Sequence, residues 1–339
     1  MSRARGVSGY ANGLISGATW GVVAVLLDWV AARMPGHLAV ATALVIAAVH
    51  DLAAAFFLVT RLTVVGGLPR ILGLVWSRSA LTIAACSLLG GPVFMGGYVV
   101  ALVLSGPSYS LTATATYPVF GALFAQRLLH QRLNWIAWLG VMAAGLGAAL
   151  TAFDASSSAD GARTLLGVVI ALTAAAGLAL EGVVATYAMV KIDADTAMAV
   201  RQIFSAILLW VIVLAVPHGI STAVTVSQTR DLYLPLLVAG CIGGYSFAIW
   251  YHSIRKIGVA KAMALNITYA MWGILFAWVF AHATTGALAI TGCVIVSIGA
   301  VLVIMSGERP AGGHSDERQA SLDTEGITRR GPAGDRPAC

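Results

Sequence analysis

Long, nearly uncharged apolar runs recur along almost the whole of this chain, and they constrain its fold more than any other feature. They lie approximately at 11–31, 38–60, 79–104, 108–126, 134–152, 164–187, 196–216, 232–253, 259–280 and 286–306. Most are as long as the roughly 20 residues a helix needs to cross a hydrocarbon core about 30 Å thick. In lipid the backbone must satisfy its own polar groups, which leaves helices or closed barrels. The runs lack the strict alternation of barrel strands. The expected fold class is an all-α membrane protein with about ten transmembrane helices. Composition agrees, since 59% of the 339 residues are hydrophobic and 10% charged, against roughly 25% charged in soluble domains.

The formal charge of +6 does not read as a nucleic-acid surface, because the basic residues stand singly in the short gaps between runs. That is how topology determinants are distributed. With the N-terminus placed in the cytoplasm, Arg3, Arg5, Arg61, Arg70, Arg78, Arg127, Arg132, Lys191, Arg255 and Lys256 all face inside, and only Arg33, Arg163 and Arg230 face outside. Both termini are therefore expected to be cytoplasmic. Gly13 to Val30 reads as a retained first helix, not a cleaved signal, because it holds Asp28 and lacks a convincing small-residue cleavage site. The stretch between Arg61 and Arg78 carries Leu68, Ile71, Leu72, Leu74 and Trp76 and is expected to lie along the membrane surface. Residues 307–339 are polar and Gly/Pro-rich, the composition of a disordered cytoplasmic tail. Cys86, Cys241 and Cys293 fall inside apolar runs without metal-ligand spacing, so no metal site is indicated.

The chain repeats itself. Gly96-Gly97-Tyr98 in the third run returns as Gly243-Gly244-Tyr245 in the eighth, and Thr116-Tyr117 with Gly121 in the fourth returns as Thr268-Tyr269 with Gly273 in the ninth. Gly140 and Gly147 match Gly292 and Gly299, and Gly21-Val22-Val23-Ala24 matches Gly182-Val183-Val184-Ala185. Residues 1–152 and 153–306 thus read as two related five-helix halves. Five being odd, the second half enters the bilayer from the opposite side, an inverted repeat suited to opening a central site to alternate sides.

With Ala18-Thr19-Trp20-Gly21, Gly97-Tyr98, Tyr117-Pro118, Gln131-Arg132-Leu133 and the paired glycines, residues 11–306 resemble the EamA type of the drug/metabolite transporter superfamily. The resemblance implies ten helices, a cavity between the halves, and alternating-access movement of small metabolites, amino acids or drugs. Three positions depart from the pattern. Gln131 stands for the family's usual glutamate, Glu181 falls where the first half has Trp20, and Ala270 replaces the repeat's proline.

Glu181 is the leading candidate for chemistry. A carboxylate inside a transmembrane run must face the bundle, where it can couple transport to protons or pair with a cationic substrate. The plainer reading is a hydrogen bond to a neighbouring helix. His50-Asp51 in the second run falls opposite Arg201-Gln202 of the seventh in the repeat, which suggests a polar centre with Asp51 and Arg201 as counter-ions. Trp20, Tyr98, Tyr117, Tyr245, Asn266, Tyr269 and Trp272, with Gln202, are candidate cavity walls; core packing is the competing assignment. Ser108, Thr112 and Thr116 form a further polar stripe. Gly13, Gly17 and Gly21 make a small-residue stripe for close packing, while Gly90-Gly91-Pro92 and Gly96-Gly97 would weaken the third run and, with Pro118, are candidate hinges. Trp29, Trp76, Trp135 and Trp138 sit near run ends as interfacial anchors, and His282 is a boundary residue.

The function expected is secondary transport, as an exporter, with proton coupling a candidate drive. A channel or scaffold is the rival. An intramembrane enzyme is more remote, because zinc-protease, phosphate-loop and hydrolase-elbow motifs are missing. No cofactor is expected. The partners expected are the bilayer and a small-molecule substrate, not nucleic acid, with the protein a monomer or a homodimer in the plasma membrane of a bacterium.

Overall fold

The computed structural model describes residues 2–31, 33, 40–77, 79–152, 161–281 and 286–306. Some side chains within these stretches, Asp28, Ser108 and Thr112 among them, lie outside the description, as do Arg78, His282 and the tail region 307–339. The described residues are helical, without a strand. The elements are α1 (Ser2–Ala31), α2 (Val40–Val64), α3 (Leu68–Val75), α4 (Ser79–Leu88), a π-helical segment (Leu89–Gly96), α5 (Gly97–Thr114), α6 (Tyr117–Leu128), α7 (Trp135–Ala152), α8 (Gly161–Ala188), α9 (Ala194–Ala215), α10 (Gly219–Gln228), α11 (Arg230–Ile257), α12 (Val259–Asn266), α13 (Tyr269–Ala281) and α14 (Ala287–Met305). Seven described stretches are long and apolar enough to cross a bilayer. Large apolar side chains such as Phe56, Leu81, Leu146, Leu214 and Ile298 are exposed around the outside. A water-soluble protein does not present so much apolar surface.

The two halves pack as an exchange of partners. α1 lies on α11 as the α4–π–α5 stretch lies on α8, while α2 pairs with α9 and α7 with α14. Gly140 rests against the backbone of Gly299, and Gly147 against that of Gly292. These contacts run α7 and α14 antiparallel. A twofold relating them must therefore lie across the helix axes. A Cβ on Gly147 would stand 2.5 Å from the Val296 nitrogen, so the close approach needs glycine.

Both repeats break a helix at the same place. α6 starts at Tyr117 and α13 at Tyr269, each just after a threonine whose hydroxyl donates back to a carbonyl three residues earlier: Thr116 to Ala113 and Thr268 to Leu265, both at 2.6 Å. Such back-bonding offers the backbone an alternative to the helix. The break survives in the second half, where Ala270 replaces proline. Pro118 itself stands in the first turn of α6, where its missing N–H costs no helical bond. It opens that helix and does not bend a continuous one. α5, for its part, extends beyond the boundary expected near residue 104, through to Thr114.

The π-helical segment contains Gly90, Gly91, Pro92 and Gly96. Proline cannot donate its bond to the preceding turn, and glycines tolerate the wider winding. Two short helices, α3 and α10, follow the repeat-related α2 and α9. The apolar residues before Arg78 foreshadowed α3, whose Ile71 and Leu74 are buried while Trp76 is exposed. α10 was not anticipated, because its Ser, Thr and Gln content hides the helical pattern.

Polar links gather at one end of the bundle. Arg61 of α2 meets Asp195 of α9 at 2.8 Å, Arg70 of α3 meets Asp193 at 3.5 Å, and His252 of α11 meets Asp195 at 3.2 Å. Lys256 donates to Ser8 and Tyr187 to the Leu128 carbonyl at the same end.

Candidate functional site

At the centre of the bundle His50, Asp51, Glu181 and Arg201 have almost no solvent exposure, nor have Tyr251 and Cys86 beside them. Burying charges in lipid is costly unless each is paired and hydrogen-bonded, and the pairing here is specific. Arg201 grips Glu181 with two bonds, Nε to Oε1 at 2.8 Å and Nη2 to Oε2 at 3.1 Å. This is the planar fork that suits guanidinium to carboxylate. Tyr251 Oη donates to the same Oε1 at 2.9 Å, and Arg201 Nη1 donates to Gln202 at 2.5 Å. Gln202 in turn reaches the Asp51 carbonyl at 3.4 Å.

Asp51 is held separately. One oxygen meets His50 Nδ1 at 3.0 Å and the other accepts from the Ser205 hydroxyl. The expected Asp51–Arg201 counter-ion pair is thus corrected: the arginine's direct partner is Glu181. His50 and Asp51, although sequence neighbours on one helix, do contact, because the imidazole bends across to the carboxylate.

The π-helical segment covers this cluster. A Cβ on Gly90 would collide with Arg201 and the Glu181 carboxylate, and one on Gly91 with the Ser205 hydroxyl. Ser87, one turn earlier, donates to the Arg201 carbonyl at 2.8 Å. Cys86 is buried beside these groups and free, and the half-buried Cys241 and Cys293 are free as well. Gly96 and Gly97 sit where the π-helical segment passes into α5, with ordinary contacts to Leu209 and Ala174.

Beside the cluster lies a narrow crevice with room for about one water molecule, walled by Trp20, Phe94, Phe247, Trp250 and Tyr269 together with Leu178, Ser246 and Asn266. Trp20 and Phe247 form the partition between cavity and charges. Their centroids are 4.8 Å apart, Trp20 stands edge-on to His50 at 5.8 Å, and Arg201 lies 5.1 Å from the Phe247 ring. The Trp250 indole N–H has no hydrogen-bond partner among the described residues. A chain of polar bonds crosses the cavity's end: Tyr117 Oη to Asn266 at 2.7 Å, Asn266 to Ser16 at 2.8 Å, and Ser246 to the Ser16 carbonyl at 2.8 Å.

Of the expected wall residues, Trp20, Asn266 and Tyr269 line the cavity. The others need correction. Tyr245 is 39% exposed on the outer surface, because Gly243 and Gly244 turn toward His50 and Ala54 of α2 and the next position at about 100° points away. Tyr98 stacks on Phe94 outside the lining. Tyr117 is buried as a cross-link, its hydroxyl also donating to the Met263 carbonyl. Trp272 packs on Gly21 and stacks on Phe276, and Gln202 serves Arg201. Gly13 packs on Leu265 and Ser253, and Gly17 on Thr268 and the Asn266 carbonyl. With Gly21, they seat α1 against the α12–α13 break. Phe94, Leu178, Ser246, Phe247, Trp250, Ser205 and Tyr251 were not anticipated. Ser246 and Trp250 share a face of α11 at helical spacing, a signal that was legible but is no different from core packing.

A helical bundle with an apolar outside, a buried charged centre and an aromatic-lined crevice defines a multi-pass membrane protein built of two repeats. The EamA-like transporter family matches this chain twice, over residues 7–153 and again over 165–305, and the chain belongs to that family. It is similar to Protein LicB of Haemophilus influenzae, 24% identical over 214 residues that cover 59% of this chain and 69% of LicB. A solved crystal structure superposes with a TM-score of 0.71 at 16% identity, covering 88% of this chain and 97% of that one, a likeness of fold alone. The family is one of membrane transporters of small molecules.

Proposed function

We propose that this chain is a secondary carrier that moves small organic molecules, metabolites, amino acids or drugs, out across a bacterial plasma membrane by alternating access. In this reading residues 1–152 and 153–306 are the two five-helix halves, ten helices span the bilayer, and both termini and the tail from residue 307 are cytoplasmic. The spans beyond the seven longest come from the shorter apolar α7 and α14 and from α6 with the end of α5. The gathering of Arg61, Arg70, Tyr187, His252 and Lys256 at one end supports that sidedness.

The observation that carries the reading is the aromatic cavity set against a charge cluster contributed by both repeats. α1, the π-helical segment, α8, α11 and the α12–α13 break all meet there, so a rocking motion of the halves must change access to it. Trp20, Phe247, Trp250 and Tyr269 supply flat apolar contact, and the Trp250 N–H supplies a directional donor for a substrate acceptor. Glu181, Arg201, His50 and Asp51 set the charge of the site.

The test begins with thermal stability of the purified protein against a panel of metabolites, amino acids, amines and cationic drugs. A ligand at 100 times its Kd adds about 2.7 kcal/mol to the folded state. Compounds that shift the transition then enter counterflow assays in proteoliposomes. Saturable counterflow that Trp250→Ala weakens is the expected result. Non-saturating flux would replace the carrier with a channel, and no flux of any stabilising compound would leave a scaffold.

A further inference from the structure

His50 stands apart within the central cluster. Glu181 has every oxygen engaged, and Arg201 and Asp51 are each held by two or more side chains. His50 is fully buried and uses only Nδ1; its Nε2 has no hydrogen-bond partner among the described residues. That nitrogen points to the spot where α11 presents Gly243. A Cβ there would collide with Nε2 and lie 3.5 Å from the edge of Trp20, and Trp20 is a wall of the cavity. The open lone pair therefore lies one aromatic ring away from the cavity.

Charge counting gives that nitrogen a task. With His50 neutral, Asp51, Glu181 and Arg201 leave the centre at a net −1. Uncompensated charge is disfavoured inside lipid. We propose that His50 is the proton-binding site of the carrier, taking a proton from the cavity at Nε2 while Nδ1–H stays donated to Asp51. The centre then switches between −1 and zero, and Glu181 with Arg201 forms a permanent brace whose charge does not change.

The groups around His50 support a single titrating site. α9 presents Arg201, and through it Glu181 of α8; α11 presents Tyr251, and its His252 lies at the bundle end on Asp195. α1 brings Trp20 to the imidazole, and α5 carries Tyr98. α3 carries Arg70, bonded to Asp193, while the π-helical segment and α10 have no titratable residue.

The inference rests on the carrier reading but is tested without transport, with the proton as the only ligand. A protonated imidazole quenches a nearby indole, and Trp20 is within 5.8 Å of His50. Tryptophan emission of the purified protein is recorded from about pH 4.5 to about pH 9, a window that brackets histidine chemistry. A reversible quench on acidification is expected. It should be lost in His50→Gln, lost in Trp20→Phe, which keeps the charges, and kept in His252→Gln. A quench that persists in His50→Gln, or that disappears with His252→Gln, overturns the assignment, as does a flat wild-type profile. Vesicle flux decides the carrier reading separately, since a titrating His50 in a protein that moves no solute would sink transport and leave the proton site.

Discussion

The brace between Glu181 and Arg201 makes an unequal prediction for its two halves. Both side chains are 0% exposed and joined by two bonds of 2.8 and 3.1 Å. Breaking a buried pair by removing one partner costs about 3–5 kcal/mol, because the survivor is left charged and dry. Here the survivors differ. Glu181→Gln leaves Arg201 with Asp51, whose charge still reaches it, so the centre becomes neutral and the loss should fall near 3 kcal/mol. Arg201→Gln leaves Asp51 and Glu181 as two anions at the centre, and the loss should be about 5 kcal/mol. The double variant Glu181→Gln/Arg201→Gln restores the original net charge with a neutral amide pair and should be more stable than Arg201→Gln alone. Detergent-solubilised protein at neutral pH, unfolded in a denaturant series and followed by tryptophan emission, supplies the three differences. Losses that simply add to within about 0.5 kcal/mol would show that the two groups are not coupled. A Glu181→Gln variant as stable as wild type would refute the brace itself.

Further outcomes follow from the packing. Gly147→Ala places a methyl 2.5 Å from the Val296 nitrogen and should destabilise by about 1–3 kcal/mol or more in thermal unfolding, whereas Gly97→Ala, whose new methyl meets Ala174 at 3.5 Å, should be close to neutral. Asp195→Asn removes the partner of both Arg61 and His252, but these side chains are 43%, 32% and 25% exposed, with Asp195 the last. Each bridge should therefore contribute less than about 1 kcal/mol, and the effect should vanish at high salt in the same assay. Tyr117→Phe loses the bonds to Asn266 and Met263 and should cost about 1–3 kcal/mol, while Tyr245→Phe on the outer surface should cost nothing measurable.

Much of this protein was legible in one dimension. Apolar runs too long for a soluble core dictate a membrane helix bundle, because lipid leaves the backbone no other partner. Gly140 with Gly147 and Gly292 with Gly299, met in the same order in both halves, announced the two repeats that pack through those glycines. The opposition of His50-Asp51 to Arg201-Gln202 foreshadowed a polar centre where α2 crosses α9. Such features survive in sequence because they depend on composition, period or order along the chain.

What each polar group does was decided only in three dimensions. Nothing in the order of residues says that Arg201 turns to Glu181 and not to Asp51, since both carboxylates lie on other helices and the choice rests on angles between them. Tyr98, Tyr117, Tyr245 and Tyr269 look equivalent in the repeat, yet one stacks beside the cavity, one ties helices together, one faces outward and one lines the cavity. A helix turns about 100° per residue, so a small rotation or a break at Thr116 or Thr268 carries a ring from the cavity to the lipid. The glycines at 90 and 91 show the same limit: their sequence marks a weak helix, but only the fold reveals that a buried ion pair lies where their side chains would be.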